Sequence, residues 1–142
     1  MTIPLYKIID FPGSNTGNGI LTMYEHGPGE KDLIPFEIKK ILIMRGMSGK
    51  DIRGAHTHHK TNQILISLQG ACTVTLDNGF EKKEIRMDNP DKGIVLYPYV
   101  WHTMKDFDDN TILMVLADIV YDDVDYIRNY DNFLGFIKKQ KK

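Results

Sequence analysis

Short runs of apolar and β-branched residues, separated by turn residues, are the feature that most limits the fold of this chain. Runs rich in Ile, Val, Leu, Thr and Tyr occupy residues 63–68, 71–76, 93–97 and 111–119. The tripeptide Asp77-Asn78-Gly79 follows one of these runs, and Asn and Gly tolerate the positive φ angles of tight hairpin turns. Many short strands at close spacing, without intervening helices, predict an all-β sandwich or barrel.

Helix signals are confined to the C-terminal end. Residues 122–129 are typical of a short helical turn, and Asp131 can cap a last helix that runs to about Lys138. At 142 residues the chain has the length of one domain. The expected division is therefore a single domain, 1–142, with variable N-terminal strands and loops in 1–34 and a C-terminal helical segment in 120–142.

Composition excludes several classes of function. The net charge of -1 gives no basic surface for nucleic acid or for an anionic membrane. No apolar stretch approaches the ~20 residues that span a bilayer, and the N-terminus has no export signal. The single cysteine, Cys72, cannot form an internal disulfide, which is typical of a reducing compartment. The sequence thus predicts a cytoplasmic protein with no nucleic-acid or membrane partner.

Histidines mark the candidate site. Three of the five histidines lie at positions 56, 58 and 59, and another follows Trp101 at position 102. In an extended strand His56 and His58 point to the same face, because successive side chains alternate. Two imidazoles on one face, with a third from another strand, form either a proton-transfer site or a metal site. Unpaired imidazoles are poor core residues, so we expect a functional site here.

These residues resemble the two-part signature of the cupin superfamily. The matching positions are Gly54-x-His56-x-His58, Gln63, Gly70, Gly93, Pro98 and His102. Gln63 stands where the signature ordinarily has a glutamate, and a neutral amide is a weaker ligand for a hard cation. The segments RGAHTHHK, QILISLQG, VWH, MVLADIVYDD and DYIRNYDNF are similar to the nucleoside-diphosphate-sugar 3,4-ketoisomerases, across residues 35–133.

The resemblance implies a fold, a reaction and an assembly. Its members are cupin-type small β-barrels, or jelly rolls, and here a short C-terminal helical segment would follow. They act as homodimers without a metal or another cofactor, on a dTDP-linked 4-keto-6-deoxyhexose. The implied reaction moves the ketone of dTDP-4-keto-6-deoxyglucose from C4 to C3 through an enediol, which needs groups that exchange protons near neutral pH.

The resemblance assigns catalysis to His56 and His58, without deciding which acts on carbon and which on oxygen. Arg53 is the best candidate for the pyrophosphate, because a guanidinium matches phosphate oxygens. Further candidates for substrate binding are Lys60, Lys40, Gln63, Trp101, His102 and Asn18. The family positions near Asn18 and at His102 influence the configuration left at C4, so gluco and galacto products both stay open, with His102 favouring galacto.

Two alternatives from other classes remain. A metal-dependent cupin enzyme, either a dioxygenase or an isomerase, would use His56, His58, His102 and Gln63 as ligands, since three imidazoles with an open position can form a catalytic metal site. A non-catalytic sugar-binding cupin would bind the ligand without turnover. Neither is excluded by the residues alone.

Overall fold

Two antiparallel sheets form the body of the protein, in a computed structural model that describes residues 3–27 and 32–140. In this part of the chain the strands are β1 (Lys7–Asp10), β2 (Gly13–Asn15), β3 (Ile20–Thr22), β4 (Lys40–Met44), β5 (Arg53–His58), β6 (Gln63–Gln69), β7 (Cys72–Asp77), β8 (Lys82–Met87), β9 (Lys92–Leu96), β10 (Trp101–Lys105), β11 (Ile112–Ala117) and β12 (Tyr126–Ile127). A 3₁₀ turn spans Asp123–Asp125, and helix α1 spans Tyr130–Gln140.

The strands are arranged as a jelly-roll sandwich. One sheet has the order β1-β9-β6-β11-β4 and the other β12-β5-β10-β7-β8, while β2 and β3 form a separate hairpin. A shared apolar core joins Leu65 and Leu113 of the first sheet to Val74 and Met104 of the second. The predicted all-β class with a C-terminal helix is confirmed, although the cupin-type barrel stays open as two sheets.

Strand β6 shows why the apolar run at 63–68 is continuous rather than alternating. Leu65 points into the core between the sheets. Ile64 and Ile66 point the other way, into a second apolar cluster that contains Ile9 and Phe11 from the N-terminal part of the chain. A strand that is covered on both faces needs apolar residues at successive positions. The N-terminal segment therefore belongs to the core rather than to a detached extension.

The C-terminal prediction was partly wrong. Residues 122–129 are not one helical turn: the 3₁₀ turn ends at Asp125, and Tyr126–Ile127 then pair as strand β12 with β5. The last helix exists and is longer than predicted. Its N-terminal cap is supplied by Asn129, whose side-chain Oδ1 accepts from the backbone N–H of Asn132 at 2.9 Å, and not by Asp131. Residues 141–142 of the predicted C-terminal segment lie outside the described part.

Helix α1 is held by aromatic packing against the second sheet. Phe133 is fully buried, and its ring lies 5.7 Å from the ring of Trp101 on β10, measured between centroids. This contact anchors the C-terminal segment directly after β12, the strand that borders the histidine cluster. In the described residues no helix has the length and apolar character needed to cross a membrane.

Candidate active site

A cavity of about 360 Å³ opens between the two sheets, and its volume lies within the ordinary range for small-molecule sites. Its wall is apolar on the side of β4 and polar on the side of β5 and β10. The lining residues are Leu42, Met44, Ile52, Arg53, Gly54, His56, Gln63, Leu96, His102, Met104, Val115, Tyr126 and Arg128. A cleft that combines apolar walls with convergent polar groups is suited to holding and orienting a small molecule.

Three imidazoles come together at this cavity. Strands β5 and β10 are antiparallel neighbours, and their register places His102 directly opposite His56. The ring centroids of His56 and His102 lie 4.8 Å apart, those of His56 and His58 lie 5.1 Å apart, and those of His58 and His102 lie 6.4 Å apart. The alternation of side chains along β5 thus brings His56 and His58 to one cluster, as the sequence predicted.

A bulge at the start of β5 sets the direction of this cluster. Gly54 and Ala55 both have positive φ angles, 79° and 58°, and the pairing with β10 shifts register at this point. A Cβ at Gly54 would lie 3.0 Å from the backbone oxygen of His102, so only glycine fits without displacement of that strand. The bulge turns β5 so that Arg53 and His56 both face the cavity.

Backbone contacts determine the tautomers of two of the rings. Nδ1 of His56 lies 3.1 Å from the carbonyl oxygen of Gly54, and Nδ1 of His102 lies 3.2 Å from that of Val100. A carbonyl oxygen can only accept, so each Nδ1 must carry the proton and donate. Nε2 of each ring is then left with a lone pair. Both rings are therefore arranged to accept a proton at Nε2.

Burial keeps all three imidazoles neutral near pH 7. It lowers the pKa of His56, against the opposing effect of the Gly54 carbonyl. It also lowers the pKa of His58 to about 4 and that of His102 to about 3, in both cases with a further contribution from the neighbouring His56. Neutral imidazoles with free Nε2 lone pairs are the form that a general base requires.

His58 lies behind the cavity wall. Like His102 it is 3% exposed, but it does not line the cavity, whereas His56 and His102 do. The ring of Tyr126, which pairs opposite His58 on β12, lies 4.4 Å from the His58 ring between centroids. Within the described part of the chain, neither ring nitrogen of His58 has an aligned hydrogen-bond partner. Its Nδ1 lies 3.3 Å from Oδ2 of the buried Asp125.

Not all of the residues that the sequence proposed for substrate binding reach the cavity. Arg53, Gln63 and His102 line it. Lys40 lies close by on β4, with its ammonium 5.4 Å from the centroid of the Tyr121 ring. Lys40 is partly buried and is not part of the cavity lining.

Three other proposed residues lie elsewhere. Lys60 is exposed in the turn between β5 and β6, and Asn18 is exposed between β2 and β3. Trp101 faces the opposite side of β10 from His102, where it packs against Tyr130 and Phe133. The structure therefore does not bring these three side chains into the cavity of the same chain.

Sequence reasoning missed two polar side chains that line the cavity, those of Tyr126 and Arg128. The guanidinium of Arg128 lies 4.2 Å from the centroid of the Tyr126 ring and pairs with Asp123 at 2.9 Å. Both belong to the segment DYIRNYDNF, whose similarity to the ketoisomerases was noted. That similarity was the available signal, but nothing in the local sequence shows that the segment returns to β5.

The described side chains around the cavity are not arranged as a metal centre. In residues 3–27 and 32–140, no group of three or more His, Cys, Asp or Glu side chains is arranged to hold a metal ion. Gln63 lines the cavity at the position where the cupin signature has a glutamate. Its side chain is a neutral amide, which is a weaker ligand for a hard cation than a carboxylate. The arrangement is suited to proton transfer between a bound molecule and ring nitrogens.

Comparison with known proteins supports this chemistry. Residues 5–138 match the family described as FdtA: WxcM-like, C-terminal. The TDP-4-oxo-6-deoxy-alpha-D-glucose-3,4-oxoisomerase of Aneurinibacillus thermoaerophilus is 41% identical over 133 residues, which are 94% of this chain and 93% of that protein.

Solved structures lead to the same family. The sugar 3,4-ketoisomerase QdtA from Thermoanaerobacterium thermosaccharolyticum, in complex with TDP, superposes with a TM-score of 0.90 at 35% identity over 98% of both chains. A histidine-to-asparagine mutant of QdtA, in complex with TDP-4-keto-6-deoxyglucose, gives a TM-score of 0.90 at 34% identity over 98% of both chains. The resemblance noted in the sequence is thereby confirmed. This chain belongs to the FdtA family of sugar-nucleotide 3,4-ketoisomerases.

Proposed function

We propose that this chain is a cytoplasmic isomerase that converts TDP-4-keto-6-deoxyglucose into the corresponding 3-keto sugar nucleotide, without a metal or another cofactor. The observation that carries the proposal is the convergence of His56, His58 and His102 at one cavity, with Nε2 of two rings left free by backbone contacts. The family supplies the reaction class. Neutral imidazoles supply groups that can perform it.

The reaction is a redistribution of protons within one sugar. The C4 carbonyl acidifies the hydrogen on C3, and a base removes it to form an enediol. A proton is then added to C4, and the hydroxyl proton on O3 passes to O4, so that the product is an isomer of the substrate. Each transfer needs a positioned group that can take and return a proton, and such a group typically accelerates a step by about 10²–10⁴-fold.

Contact with the cavity suggests different roles for the three histidines. His56 lines the cavity, so we assign it to the proton on C3. His58 lies behind it and next to Tyr126. Since His56 takes the proton on C3, we assign His58 to the hydroxyl proton that passes from O3 to O4. His102 lines the cavity opposite His56 and is proposed to contact the sugar oxygens. Gln63 is proposed as a further sugar contact.

Two guanidinium groups at the cavity are the candidates for the pyrophosphate. Arg53 was already the candidate from the sequence, and Arg128, directly after β12, is the second arginine of the cavity lining. Both side chains are exposed and both line the cavity, so phosphate oxygens can reach them. Arginine binds phosphate through paired hydrogen bonds in a fixed geometry. Of the lysines proposed from the sequence, Lys40 is the better placed, because it lies beside the histidine cluster.

The proposal is tested by NMR of the purified protein with TDP-4-keto-6-deoxyglucose in heavy water. We expect a 3-keto product with deuterium at C4, because the enediol is reprotonated by a group that exchanges with solvent. The H4–H5 coupling constant of the product formed in ordinary water, where C4 carries hydrogen, would also assign the gluco or galacto configuration. Binding of the substrate without turnover would contradict the proposal and would favour a non-catalytic sugar-binding cupin instead.

The other alternative, a metal-dependent cupin enzyme, is not favoured by the relatives. Those compared above are 3,4-isomerases of TDP-linked sugars. A dioxygenase would catalyse a different class of reaction from the isomerisation that these relatives are named for. We therefore keep a single function for the cavity.

We propose further that the protein is a homodimer. Strand β4 lies at the edge of its sheet, and its outward side chains Ile41 and Ile43 are 57% and 51% exposed. An apolar edge strand of this kind invites pairing with another chain, and a second copy would cover it. Sedimentation equilibrium is expected to give the mass of two chains. A monomer at micromolar concentration would contradict this assembly.

A further inference from the structure

Asp125 is a buried carboxylate beside the histidine cluster that the reaction described above does not use. It is 5% exposed and ends the 3₁₀ turn directly before β12. Its Oδ2 lies 3.3 Å from Nδ1 of His58, and both side chains are almost completely buried. A carboxylate in such a place is costly unless several donors satisfy it.

The donors come from the turn between β5 and β6. The backbone N–H of Lys60 donates to Oδ1 at 2.8 Å, and that of Thr61 donates to Oδ2 at 3.3 Å. The hydroxyl of Thr61 donates to the same Oδ2. Burial acts to raise the pKa of the Asp125 carboxyl, but the hydrogen bonds from Thr61 and Lys60 outweigh it, and the net pKa is lowered. Asp125 is therefore an anion held rigidly in place.

The position of this anion has a consequence for the His58 ring. A carboxylate oxygen can only accept a hydrogen bond, so a proton on the facing ring nitrogen is favoured and a lone pair there is repelled. The contact between Nδ1 of His58 and Oδ2 of Asp125 is not aligned as a hydrogen bond. Catalytic hydrogen bonds are often long or poorly aligned before substrate binds, and they tighten in the complex.

We propose that Asp125 is a positioning residue for the isomerisation: it holds the His58 ring with its proton on Nδ1 and leaves Nε2 to exchange protons. The inference rests on the proposed function, because it gives His58 its role in that reaction. It also explains how one carboxylate can serve a purpose without contacting the sugar. Third groups that orient a base in this way are common to unrelated enzymes.

The charges around His58 decide how strongly Asp125 acts. His56 on the same strand and Lys40 on β4 both lower the pKa of His58, while Asp125 raises it. Tyr126 covers the ring from β12. Among these neighbours, Asp125 is the anion in contact with the ring. Its removal is therefore expected to make His58 harder to protonate during turnover and to release the constraint on its tautomer.

A matched pair of variants separates positioning from structural support. Asp118 also accepts hydrogen bonds from the turn between β5 and β6. Its Oδ1 accepts from the backbone N–H of Asn62 at 2.9 Å, and its Oδ2 accepts from the Asn62 side chain at 3.0 Å. It has no contact with the histidines in the described hydrogen bonds and ion pairs. Asp125→Asn and Asp118→Asn each neutralise one carboxylate that accepts hydrogen bonds from the turn between β5 and β6, and only Asp125 lies next to His58.

We expect Asp125→Asn to lower kcat by about 10- to 100-fold with KM changed less than about threefold, and Asp118→Asn to leave both within about twofold. A ¹⁵N NMR measurement of histidine tautomers in the wild-type protein, with His58 assigned from His58→Asn, is expected to show the proton on Nδ1. Equal losses of kcat in the two Asn variants would overturn the inference, and so would a proton on Nε2 of His58.

The two readouts also keep this inference distinct from the proposed function. If Asp125→Asn does not fold, the tautomer in the wild-type protein still decides the question, because it needs no variant at position 125. Absence of turnover in the wild-type protein would instead contradict the proposed function. In that case the measured tautomer of His58 would still test whether Asp125 orients this ring, independently of turnover.

Discussion

His56→Asn is expected to lower kcat by about 10²–10⁴-fold while KM for the TDP-sugar stays within a few-fold of wild type. Asparagine keeps a polar side chain of similar reach but cannot take a proton near neutral pH. His56 lines the cavity and its Nε2 is free, so its loss removes the transfer itself rather than a binding contact. His58→Asn is expected to cost at least about a hundredfold, because it removes the second imidazole to which we assign a proton transfer. Steady-state kinetics of both variants would measure the effect.

Two further variants serve as comparisons for the loss of kcat in the His56→Asn and His58→Asn proteins. His26 is exposed and outside the cavity, so His26→Asn should leave kcat and KM unchanged. Arg53→Ala should raise KM more than it lowers kcat, because it removes a charged contact that substrate and transition state share. Turnover near the wild-type rate in both His56→Asn and His58→Asn would show that the cluster is not the catalytic centre.

Stability is expected to fall by several kcal/mol as the pH decreases from 6.5 to about 4, before most carboxylates are protonated. The folded-state pKa of His102 is lowered from 6.5 to about 3 and that of His58 to about 4, chiefly by burial. In this interval the unfolded chain binds protons at these histidines and the folded chain does not, so acid favours unfolding. Each pKa unit corresponds to about 1.4 kcal/mol, and two such groups together amount to an effect on the order of 5 kcal/mol.

Chemical denaturation at a series of pH values measures this loss. His102→Gln should remove a large part of the pH dependence between 6.5 and 4, because glutamine does not titrate. His26→Gln is the matched control, since it changes an exposed histidine outside the cavity. A wild-type free energy of unfolding that is flat across this interval would contradict the burial of neutral imidazoles.

Much of the fold could be predicted because strand signals are local. The run at 63–68 became β6, and the turn at Asp77-Asn78-Gly79 connects β7 and β8. Strand β8 was missed because its sequence, Lys82–Met87, is mostly charged and its side chains are mainly exposed. Residues 122–129 were assigned to a helical turn, although Tyr126 and Ile127 pair with β5. Pairing with a distant strand overrides the local preference of so short a segment.

The sequence also placed some residues of the candidate site correctly and others wrongly. Alternation along β5 was enough to place His56 and His58 together, and the same rule applied to β10 separates Trp101 from His102, because adjacent residues point to opposite faces. That separation was available from the sequence and was missed. Asn18 was proposed from family resemblance, and its position between β2 and β3 leaves it exposed in the single chain.

The sequence by itself determined the strand pattern, the family and the pair of imidazoles on one strand face, because each depends on residues that are close along the chain. Only the tertiary structure showed that β12 folds back onto β5 and brings Tyr126, Arg128 and Asp125 to the cluster. It also showed that the histidines are buried, which lowers their pKa values. The physical reason is that strand pairing and burial depend on contacts between segments that are far apart along the chain. A local sequence pattern does not show which distant segments come into contact.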